Sequence, residues 1–385
     1  MRASQLLWKD LSGWVDDPEQ PRGADADLVL YFGSRAMLQQ PGHFDVLKNR
    51  FPAAQILGCS TGGQMAEGDV SDDKLTALAI DFDNTQIQLA EAIVRDPAES
   101  YAAGAAIGAE LRGPDLAGVF ILSDGLHVNG SALVEGVVAA IGPDVPVSGG
   151  LAGDGAAFAE TLVGCNGQPV SRKVAAVGFY GSAVRFGHGS AGGWDVFGPK
   201  RKITRSAGNV LLEVDGKPAL DLYKLYLGPE DSQKLPGSAL LFPMCIYDPL
   251  HPAQSVVRTV LAVDETAGSM TFAGDMPEGW TAQLMRGNFN RLCAGAAEAT
   301  QHAVGDLAQP ADLASAAILV SCIGRRLLMG QRIDEEIEAA TAELPDNCAP
   351  IGFYSYGEIS PHDESGHVQL HNQTMTVTLI SERAA

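Results

Sequence analysis

Cysteine is sparse in the sequence, and none of the cysteines stands in a paired spacing. The six residues are far apart, with no C-x-x-C motif: Cys59, Cys165, Cys245, Cys293, Cys322 and Cys348. Structural zinc sites and disulfide scaffolds both depend on paired cysteines. The spacing therefore argues against both and favours a reducing compartment.

Long apolar runs are lacking as well. No uninterrupted apolar stretch approaches the ~20 residues that span a bilayer. The segment Met1–Trp14 has neither the apolar stretch nor the small-residue cleavage site of a signal peptide. We therefore expect a cytoplasmic protein without a membrane span.

Basic residues are few, with 26 Lys and Arg against 47 Asp and Glu, and the formal net charge is −21. No basic patch offsets this charge, so neither nucleic acid nor a membrane surface is expected as a partner. No G-x-G-x-x-G opens a helix after a strand, and no phosphate-loop lysine follows one, which argues against a nucleotide site. The acidic excess indicates solubility.

What the chain does have is enough apolar sequence for a large core. Its 385 residues, 46% hydrophobic and 19% charged, suffice for two domains or one large one. The most distinctive stretch is Leu57-Gly58-Cys59-Ser60-Thr61-Gly62-Gly63-Gln64, which follows the apolar run Ala53–Leu57. This pattern predicts a buried strand that opens into a tight loop whose glycines let the backbone approach a ligand.

The same arrangement is predicted three times along the chain. Each block has a strand, a helix, a second strand with a Gly-rich loop, and a further strand. In the first block these are Asp27–Ser34, His43–Arg50, Ala53–Leu57 and Leu75–Phe82; in the second Gly118–Leu122, Ser131–Ile141, Pro146–Val147 and Val174–Tyr180; in the third Ala317–Val320, Asp334–Glu343, Pro350–Ile351 and Thr374–Ile380. The loop glycines Gly63, Gly153 and Gly357 are each followed by a polar residue: Gln64, Asp154 and Glu358. We interpret this as a degenerate internal repeat, although any βαβ unit looks similar.

The fold class that follows is α/β, with repeated βαβ-type units that form partly parallel sheets. The Gly-rich loops should lie beyond the carboxyl ends of the strands, where ligands usually bind. The middle of the chain predicts an antiparallel β-rich section with two inserted helices, Pro218–Leu227 and Trp280–His302. Its strands are Ala183–His188, Lys202–Arg205, Val210–Val214, Ala239–Ile246, Val256–Val263 and Met270–Phe272. At the N-terminus we expect a helix over Ser4–Val15 and a polar loop over Asp16–Arg22.

Several of these motifs, in this order, are those of one family. They are Gly58–Gly63, Ser123-Asp124-Gly125-Leu126, Gly149–Asp154, Gly216-Lys217-Pro218-Ala219-Leu220 with Tyr223 and Gly228, Gln283-Leu284-Met285-Arg286, Gly352–Ile359, and His371-Asn372-Gln373-Thr374. The chain resembles the FIST family, a prokaryotic sensory module, over almost its whole length. The N-terminal residues 1–24 are expected to form a capping segment, and the resemblance implies a FIST N-type domain over 25–215 and a FIST C-type domain over 216–385.

The resemblance also implies a function. FIST proteins sense ligands beside chemotaxis receptors, histidine kinases or cyclic-di-GMP enzymes, and amino acids were the ligand first proposed for them. Stand-alone members of this size are similar to the nitric-oxide-sensing branch, which binds haem and regulates a partner histidine kinase. Because the sequence carries no kinase, receiver or output motif, any signal must pass to a separate protein. A homo-oligomer is compatible with this interpretation.

Haem iron needs a His, Cys, Tyr or Met ligand in an apolar pocket. We expect that ligand to be His127, in the loop after a buried strand, with His188 and His371 as rivals and Cys59 as a thiolate alternative. An ordinary loop histidine with local hydrogen bonds is the other interpretation of His127.

The Gly-rich loops are predicted to line one shared pocket. Arg286 is expected to pair with a ligand carboxylate, unless it forms a surface salt bridge, and Asp124 to anchor an amine, unless it caps backbone amides. Tyr356, which could also be a packing residue, and Glu358 correspond to Thr61 or Gly62 and to Gln64. The further pocket residues are Cys59, Ser60, Ser123 and Gly153.

A catalytic role for Cys59 is the remaining alternative. A thiol among loop amides has the features of a nucleophile beside an oxyanion site. It needs a base, and no histidine or paired carboxylate stands near it in the sequence. The sequence therefore favours a binding protein, with haem and nitric oxide first, an amino acid second and a Cys59-dependent enzyme third.

Overall fold

The computed structural model describes residues 1–9, 13–16, 25–66, 68–250, 255–307, 315–361 and 366–383. Eight α-helices are found there: α1 Arg35–Leu38, α2 His43–Arg50, α3 Ser100–Leu111, α4 Gly130–Ile141, α5 Ala219–Ser232, α6 Phe289–Asp306, α7 Ile323–Met329 and α8 Asp334–Thr341. Short 3₁₀ turns cover Pro97–Glu99, Gly237–Leu241 and Gly330–Arg332. No helix in these ranges is long and apolar enough to cross a membrane.

The strands fall into two halves of the chain. The first half contains β1 Arg2–Lys9, β2 Gly13–Asp16, β3 Leu28–Gly33, β4 Gln55–Ser60, β5 Gln64–Ala66, β6 Asp69–Ser71, β7 Leu75–Asp81, β8 Gln86–Ile93, β9 Leu116–Ser123, β10 Val147–Leu151, β11 Val163–Cys165, β12 Lys173–Tyr180 and β13 Val184–Ala191. The second half contains β14 Trp194–Ala207, β15 Val210–Val214, β16 Lys217–Pro218, β17 Met244–Tyr247, β18 Ser255–Arg258, β19 Val260–Asp264, β20 Ser269–Phe272, β21 Thr281–Gly287, β22 Ser315–Cys322, β23 Cys348–Ser355, β24 Gly357–Pro361, β25 Val368–His371 and β26 Met375–Glu382.

The three predicted blocks have the same topology. In each block the first strand pairs in parallel with the second and antiparallel with the third: β3 with β4 and β7, β9 with β10 and β12, and β22 with β23 and β26. A parallel pair needs a crossover, and in each block a helical segment lies between its two strands. The internal repeat and the mixed α/β class are therefore confirmed.

Each block lies at the centre of its own six-stranded sheet. Sheet 1 has the order β11-β4-β3-β7-β1-β2, sheet 2 the order β25-β24-β10-β9-β12-β8, and sheet 3 the order β13-β26-β22-β23-β5-β6. One apolar cluster collects residues from all three, such as Phe32, Phe120 and Val320. The sheets thus face a common core and carry helices on their outer faces, as the continuous apolar strands predicted.

The N-terminal helix predicted over Ser4–Val15 is wrong. Strand β1 instead pairs antiparallel with β7 and with β2. Leu6 and Trp14 are buried in the core of sheet 1, so tertiary pairing overrides a helical pattern that was only locally plausible. Most of the predicted Asp16–Arg22 loop lies outside the described residues.

The antiparallel middle section is confirmed as sheet 4, in which β16 joins the order β18-β17-β21-β14-β15-β20-β19. Four of its predicted elements need correction. The strand predicted over Ala183–His188 is β13, which pairs with β26 in sheet 3 and not in sheet 4. The strand predicted over Val256–Val263 is two strands, β18 and β19, interrupted at Thr259.

The strand predicted over Ala239–Ile246 begins as a 3₁₀ turn and is extended only from Met244. The helix predicted over Trp280–His302 is strand β21 followed by α6, which begins after Asn288 because the Asn288 side chain caps the Arg291 amide.

Candidate functional site

The three Gly-rich loops meet one another directly. We call this contact the loop junction. Each loop donates one backbone hydrogen bond to another, so that the three bonds close a ring: Gly62 N to Tyr354 O (2.7 Å), Gly153 N to Ser60 O (2.9 Å) and Tyr356 N to Leu151 O (3.1 Å). The loops therefore converge as predicted. The backbone amides and carbonyl oxygens at their centre, however, form hydrogen bonds with one another.

These bonds also correct the alignment of the repeats. The amides of Thr61 and Ala152 occupy equivalent places, because each bonds to the last residue of the first strand in its block. Asp154 therefore corresponds to Gly63 and not, as the glycine spacing suggested, to Gln64. The match of Tyr356 with Gly62 is kept.

A polar cluster covers one side of the loop junction. The Tyr356 hydroxyl donates to the buried carboxylate of Asp154, which also accepts from Arg35 Nη1 at 3.1 Å. The Phe158 ring stacks on Tyr356 with 4.6 Å between the ring centroids. Burial and the neighbouring Asp154 raise the pKa of the Tyr356 hydroxyl. Tyr356 therefore stays a neutral donor that fastens one loop to the next.

Glu358 lies fully buried behind the loop junction. Its carboxyl oxygens accept from Ser355 Oγ at 2.6 Å and from Thr374 Oγ1 at 2.9 Å. Burial raises its pKa to about 8, although both hydrogen bonds act in the opposite direction. The side chain is satisfied internally, and its titration lies within the physiological range.

Cys59 lies on β4, inside the common core. Its side chain is fully buried, and burial raises the pKa of the thiol well above its usual value. A nucleophile needs exposure and a lowered pKa. Cys59 is thus placed as a core residue. The neighbouring Ser60 has a structural contact, because its Oγ accepts a hydrogen bond from the Leu162 amide.

Asp124 and His127 form a local unit in the loop after β9. The Asp124 carboxylate is fully buried and accepts from the backbone amides of Leu126, His127 and Arg172, each at 2.8 Å. His127 Nδ1 lies 3.1 Å from the same carboxylate. All of these bonds hold the loop together, which is the amide-capping role that the sequence offered as the alternative for Asp124.

The two rival histidines differ in their surroundings. His371 is buried, and its Nε2 bonds to the carbonyl oxygen of Ser360 at 3.1 Å. His188 lies on β13, with Nδ1 3.8 Å from the Asp306 carboxylate. It borders an open groove of about 450 Å³ that Val184, Arg185 and Phe186 also line. His127 borders neither this groove nor the cleft described next.

Arg286 stands on β21 and is exposed, opposite Asp195 of β14. The structure does not bring it to the loop junction. Ser123 contributes its carbonyl oxygen to the Ala152 amide and its hydroxyl to the carbonyl oxygen of Asp124. The predicted set of residues therefore divides into four groups: the residues joined at the loop junction, the core residue Cys59, the Asp124–His127 unit and the exposed Arg286.

A cleft of about 310 Å³ opens where α4, the hairpin β17–β18 and β25 meet, and we call it the Arg258 cleft. Its lining is Ser131, Val134, Glu135, Ile246, Val256, Arg258, Asp275, Pro277, Trp280, Val368, Gln369 and Leu370. The walls thus come from the second block, from sheet 4 and from the last hairpin of the chain. This position lies between segments that are far apart in sequence.

Arg258 is the charged centre of the cleft and is 7% exposed. Its Nε donates to the carbonyl oxygen of Asp275 at 3.1 Å, and its Nη1 donates to that of Leu370 at 3.0 Å. No described residue accepts from Nη2. Burial lowers the pKa of the guanidinium to about 10, while the Asp275 carboxylate acts in the opposite direction.

Asp275 and Ser131 complete the polar end. Asp275 Oδ1 accepts from Asn129 Nδ2 at 3.0 Å. The buried Ser131 Oγ has no hydrogen-bond partner among the described residues. The cleft therefore offers a cation, a carboxylate and a hydroxyl to a small polar ligand.

Sequence reasoning missed this group. The available signal was a single charge within an apolar strand, Val256-Val257-Arg258-Thr259-Val260. A buried strand tolerates such a charge only where it has partners or a ligand. The convergence of Arg258 with Ser131 depends on tertiary packing, and no spacing in the sequence reveals it.

Comparison with protein families gave two adjacent matches. The FIST N domain matches residues 27–217, and the FIST C domain matches residues 219–361. A search of the curated proteins found no match. The two family segments share the walls of the Arg258 cleft, with Ser131 in the first and Arg258 in the second.

Proposed function

Because the chain belongs to the FIST family, whose domains are ligand-binding sensors of signal transduction, we propose that it senses a small metabolite in the Arg258 cleft. The observation that carries this proposal is a buried guanidinium beside an open cleft. A buried cation is costly unless an anion pairs with it. An anionic ligand on Nη2, for which no described residue is an acceptor, would supply that pair.

An amino acid fits the charges of the cleft. Its carboxylate would accept from Arg258, and its ammonium group would donate to Asp275, whose Oδ2 has no described partner. The pair Asp124 and Arg286, expected from the sequence, cannot serve one ligand in this way, because Asp124 is saturated by amides. Arg258 and Asp275 supply the same two charges within one cleft.

Thermal-shift screening of the twenty amino acids, followed by calorimetry, tests the proposal. We expect at least one amino acid to raise the melting midpoint in a concentration-dependent way. Arg258→Met should abolish the effect, and Arg286→Met, on the exposed strand, should leave it unchanged. Asp275→Asn serves as the second variant should Arg258→Met fail to fold.

The proposal fails if no amino acid shifts the midpoint of the unmodified protein. It also fails if a folded Arg258→Met protein, verified by near-UV circular dichroism, binds as tightly as the original.

Haem is the second candidate, and the observation that favours it is the setting of His188. An iron-ligating histidine commonly has its other ring nitrogen toward a carboxylate, and His188 Nδ1 faces Asp306. The groove beside it combines apolar residues such as Val184 and Phe186 with the acidic residues Asp144 and Asp306, and its cation, Arg185, could pair with a propionate. Haem held there would supply an iron that binds nitric oxide. His127 lacks such a groove among the cavities described here.

A haemin titration followed by visible spectroscopy tests this candidate. We expect a Soret band that shifts on reduction and on addition of nitric oxide, and that is lost in His188→Ala but kept in His127→Ala. A protein that gives no Soret band would rule haem out. Loss of the band in His127→Ala alone would move the ligand to the loop after β9.

In either case the signal would pass to a separate protein, for which a histidine kinase is the proposed partner. Autophosphorylation of a candidate kinase, measured with and without the liganded protein, checks this step. A rate that does not respond to the liganded protein would count against that kinase.

A further inference from the structure

The Arg258 cleft has two unlike ends, and the polar end is very narrow. A Cβ on Gly274 would lie 2.9 Å from both Arg258 Nε and Ser131 Oγ. The guanidinium and the hydroxyl therefore flank a single glycine. Asp275 follows it in the chain. Any charged group of a ligand that reaches Arg258 is consequently also close to Ser131 and Asp275.

The apolar end is formed by the hairpin β17–β18 and by α4, each within one structural repeat of the polar residues. On the hairpin, Met244 lies opposite Arg258, and the next pair on the same face is Ile246 opposite Val256, about 7 Å along the strands. On α4, Val134 lies one helical turn from Ser131. Val134, Ile246 and Val256 are each at most 9% exposed. These three residues form one apolar wall, which is the name used below.

The placement of the Arg258 and Asp275 charges beside the apolar wall fits the covalent geometry of an amino acid. The carboxylate and ammonium groups share one carbon, and the side chain leaves that carbon in a third direction. With the charges fixed at Arg258 and Asp275, a side chain of three or more carbons extends over the apolar wall. A charged side chain there would lose its hydration without gaining a partner.

We infer, on the basis of the proposed function, that the ligand is an amino acid with a branched aliphatic or aromatic side chain, bound with its charges at Arg258 and Asp275 and its side chain on the apolar wall. Ser131, whose buried hydroxyl has no partner within the described ranges, donates a hydrogen bond to the ligand or accepts one from it. Glu135, at the exposed mouth one turn along α4, disfavours acidic side chains by like charge.

Calorimetry on the full chain with leucine, phenylalanine, alanine, glutamate and lysine tests the inference. We expect leucine or phenylalanine to bind at least about ten-fold more tightly than alanine, since each methylene in an apolar pocket contributes strongly to discrimination. Glutamate and lysine should bind more weakly than alanine. 4-Methylpentanoate, which lacks the ammonium group, should bind more weakly than leucine.

A matched pair of variants locates the effect. Val256→Thr keeps the side-chain shape and should reduce the preference for leucine over alanine several-fold, while affinity for alanine changes little. Val257→Thr, one residue along the same strand with its side chain on the opposite face, should keep the preference. Val134→Thr, on α4, provides a second variant of the apolar wall should Val256→Thr fail to fold.

Two outcomes separate this inference from the proposed function. If alanine, glutamate or lysine binds as tightly as leucine, or if folded Val256→Thr and Val134→Thr both keep the full preference, the inference is wrong while the amino-acid sensor stands. If none of the amino acids binds, the proposed function itself fails.

Discussion

Single glycines set how closely the loops of this protein approach one another. Gly125 follows Asp124, and a Cβ added there would lie 2.0 Å from the carbonyl oxygen of Ala152. A contact that short with backbone cannot be relieved by moving a flexible side chain. The approach of the loop after β9 to the loop after β10 therefore depends on the missing side chain at one position.

Substitution of Gly125 should show this cost. We expect Gly125→Ala to lower the free energy of unfolding by about 1–3 kcal/mol, because the backbone must shift to accept the methyl group. Urea denaturation followed by circular dichroism measures the change. Gly167→Ala is the control, since a Cβ there would lie 3.6 Å from the carbonyl oxygen of Cys165, an ordinary van der Waals contact. Equal stabilities of the two variants would contradict the steric argument.

At the residue scale, the sequence predicted the junction better than the cleft. Gly62 and Tyr356 could be grouped because the repeat places them at equivalent positions, and the amide of each donates a hydrogen bond to another of the three loops. Arg258 belongs to no block of the repeat, whereas Ser131 lies on the helix of the second block, away from its Gly-rich loop. Their proximity arises from the packing of sheet 4 against α4, which local patterns do not encode.

At the scale of elements, strand β24 carries a buried acid into the base of the loop junction. The native state keeps the Glu358 carboxyl protonated up to about pH 8, because burial raises its pKa, whereas the unfolded chain releases the proton near pH 4.5. Between these values the native state binds more protons than the unfolded state. Its contribution to stability is therefore complete below pH 4.5 and is lost as the pH rises through about 8.

The expected result is a stability that falls between pH 5 and pH 9, with a shallower fall in Glu358→Gln, whose side chain does not titrate. Urea unfolding of both proteins at half-unit intervals of pH provides the measurement. Glu343→Gln, at an exposed position, should keep the original slope. Identical slopes for Glu358→Gln and the unmodified protein would show that Glu358 does not titrate in this range.

Most of the elements could be predicted where an apolar run and its turn residues agreed. Helix α2 and strand β7 lie almost where the patterns placed them. The errors fall where pairing partners decide the conformation. Strand β1 needs β7, and β21 needs β14 and β17, so neither can be recognised from its own residues.

At the scale of the whole molecule, the two family segments share their sheets. Strand β5, from the first segment, pairs with β23 in sheet 3, and β24, from the second, pairs with β10 in sheet 2. Arg326 of α7 further bonds to the carbonyl oxygen of Gly62 and to Asp72. The boundary near residue 216 remains a prediction, and it does not separate the strands into independent sheets.

Fragments 1–216 and 217–385 should therefore not fold alone. Each would expose strand edges and apolar faces that the other covers. We expect each fragment, expressed separately, to lack a cooperative unfolding transition, and the two together to recover it. Circular dichroism during thermal denaturation measures this. A cooperative transition in either isolated fragment would contradict the prediction.

The ring of hydrogen bonds at the loop junction also bears on the order in which the molecule is completed during synthesis. The Gly62 amide bonds to the carbonyl oxygen of Tyr354, a residue of the last block. A ribosome adds Tyr354 long after the first block has emerged. The bond between the first two loops, Gly153 N to Ser60 O, can thus form early. The two bonds that involve the third loop can form only after the final block is translated, so the ring stays incomplete in the nascent chain until then.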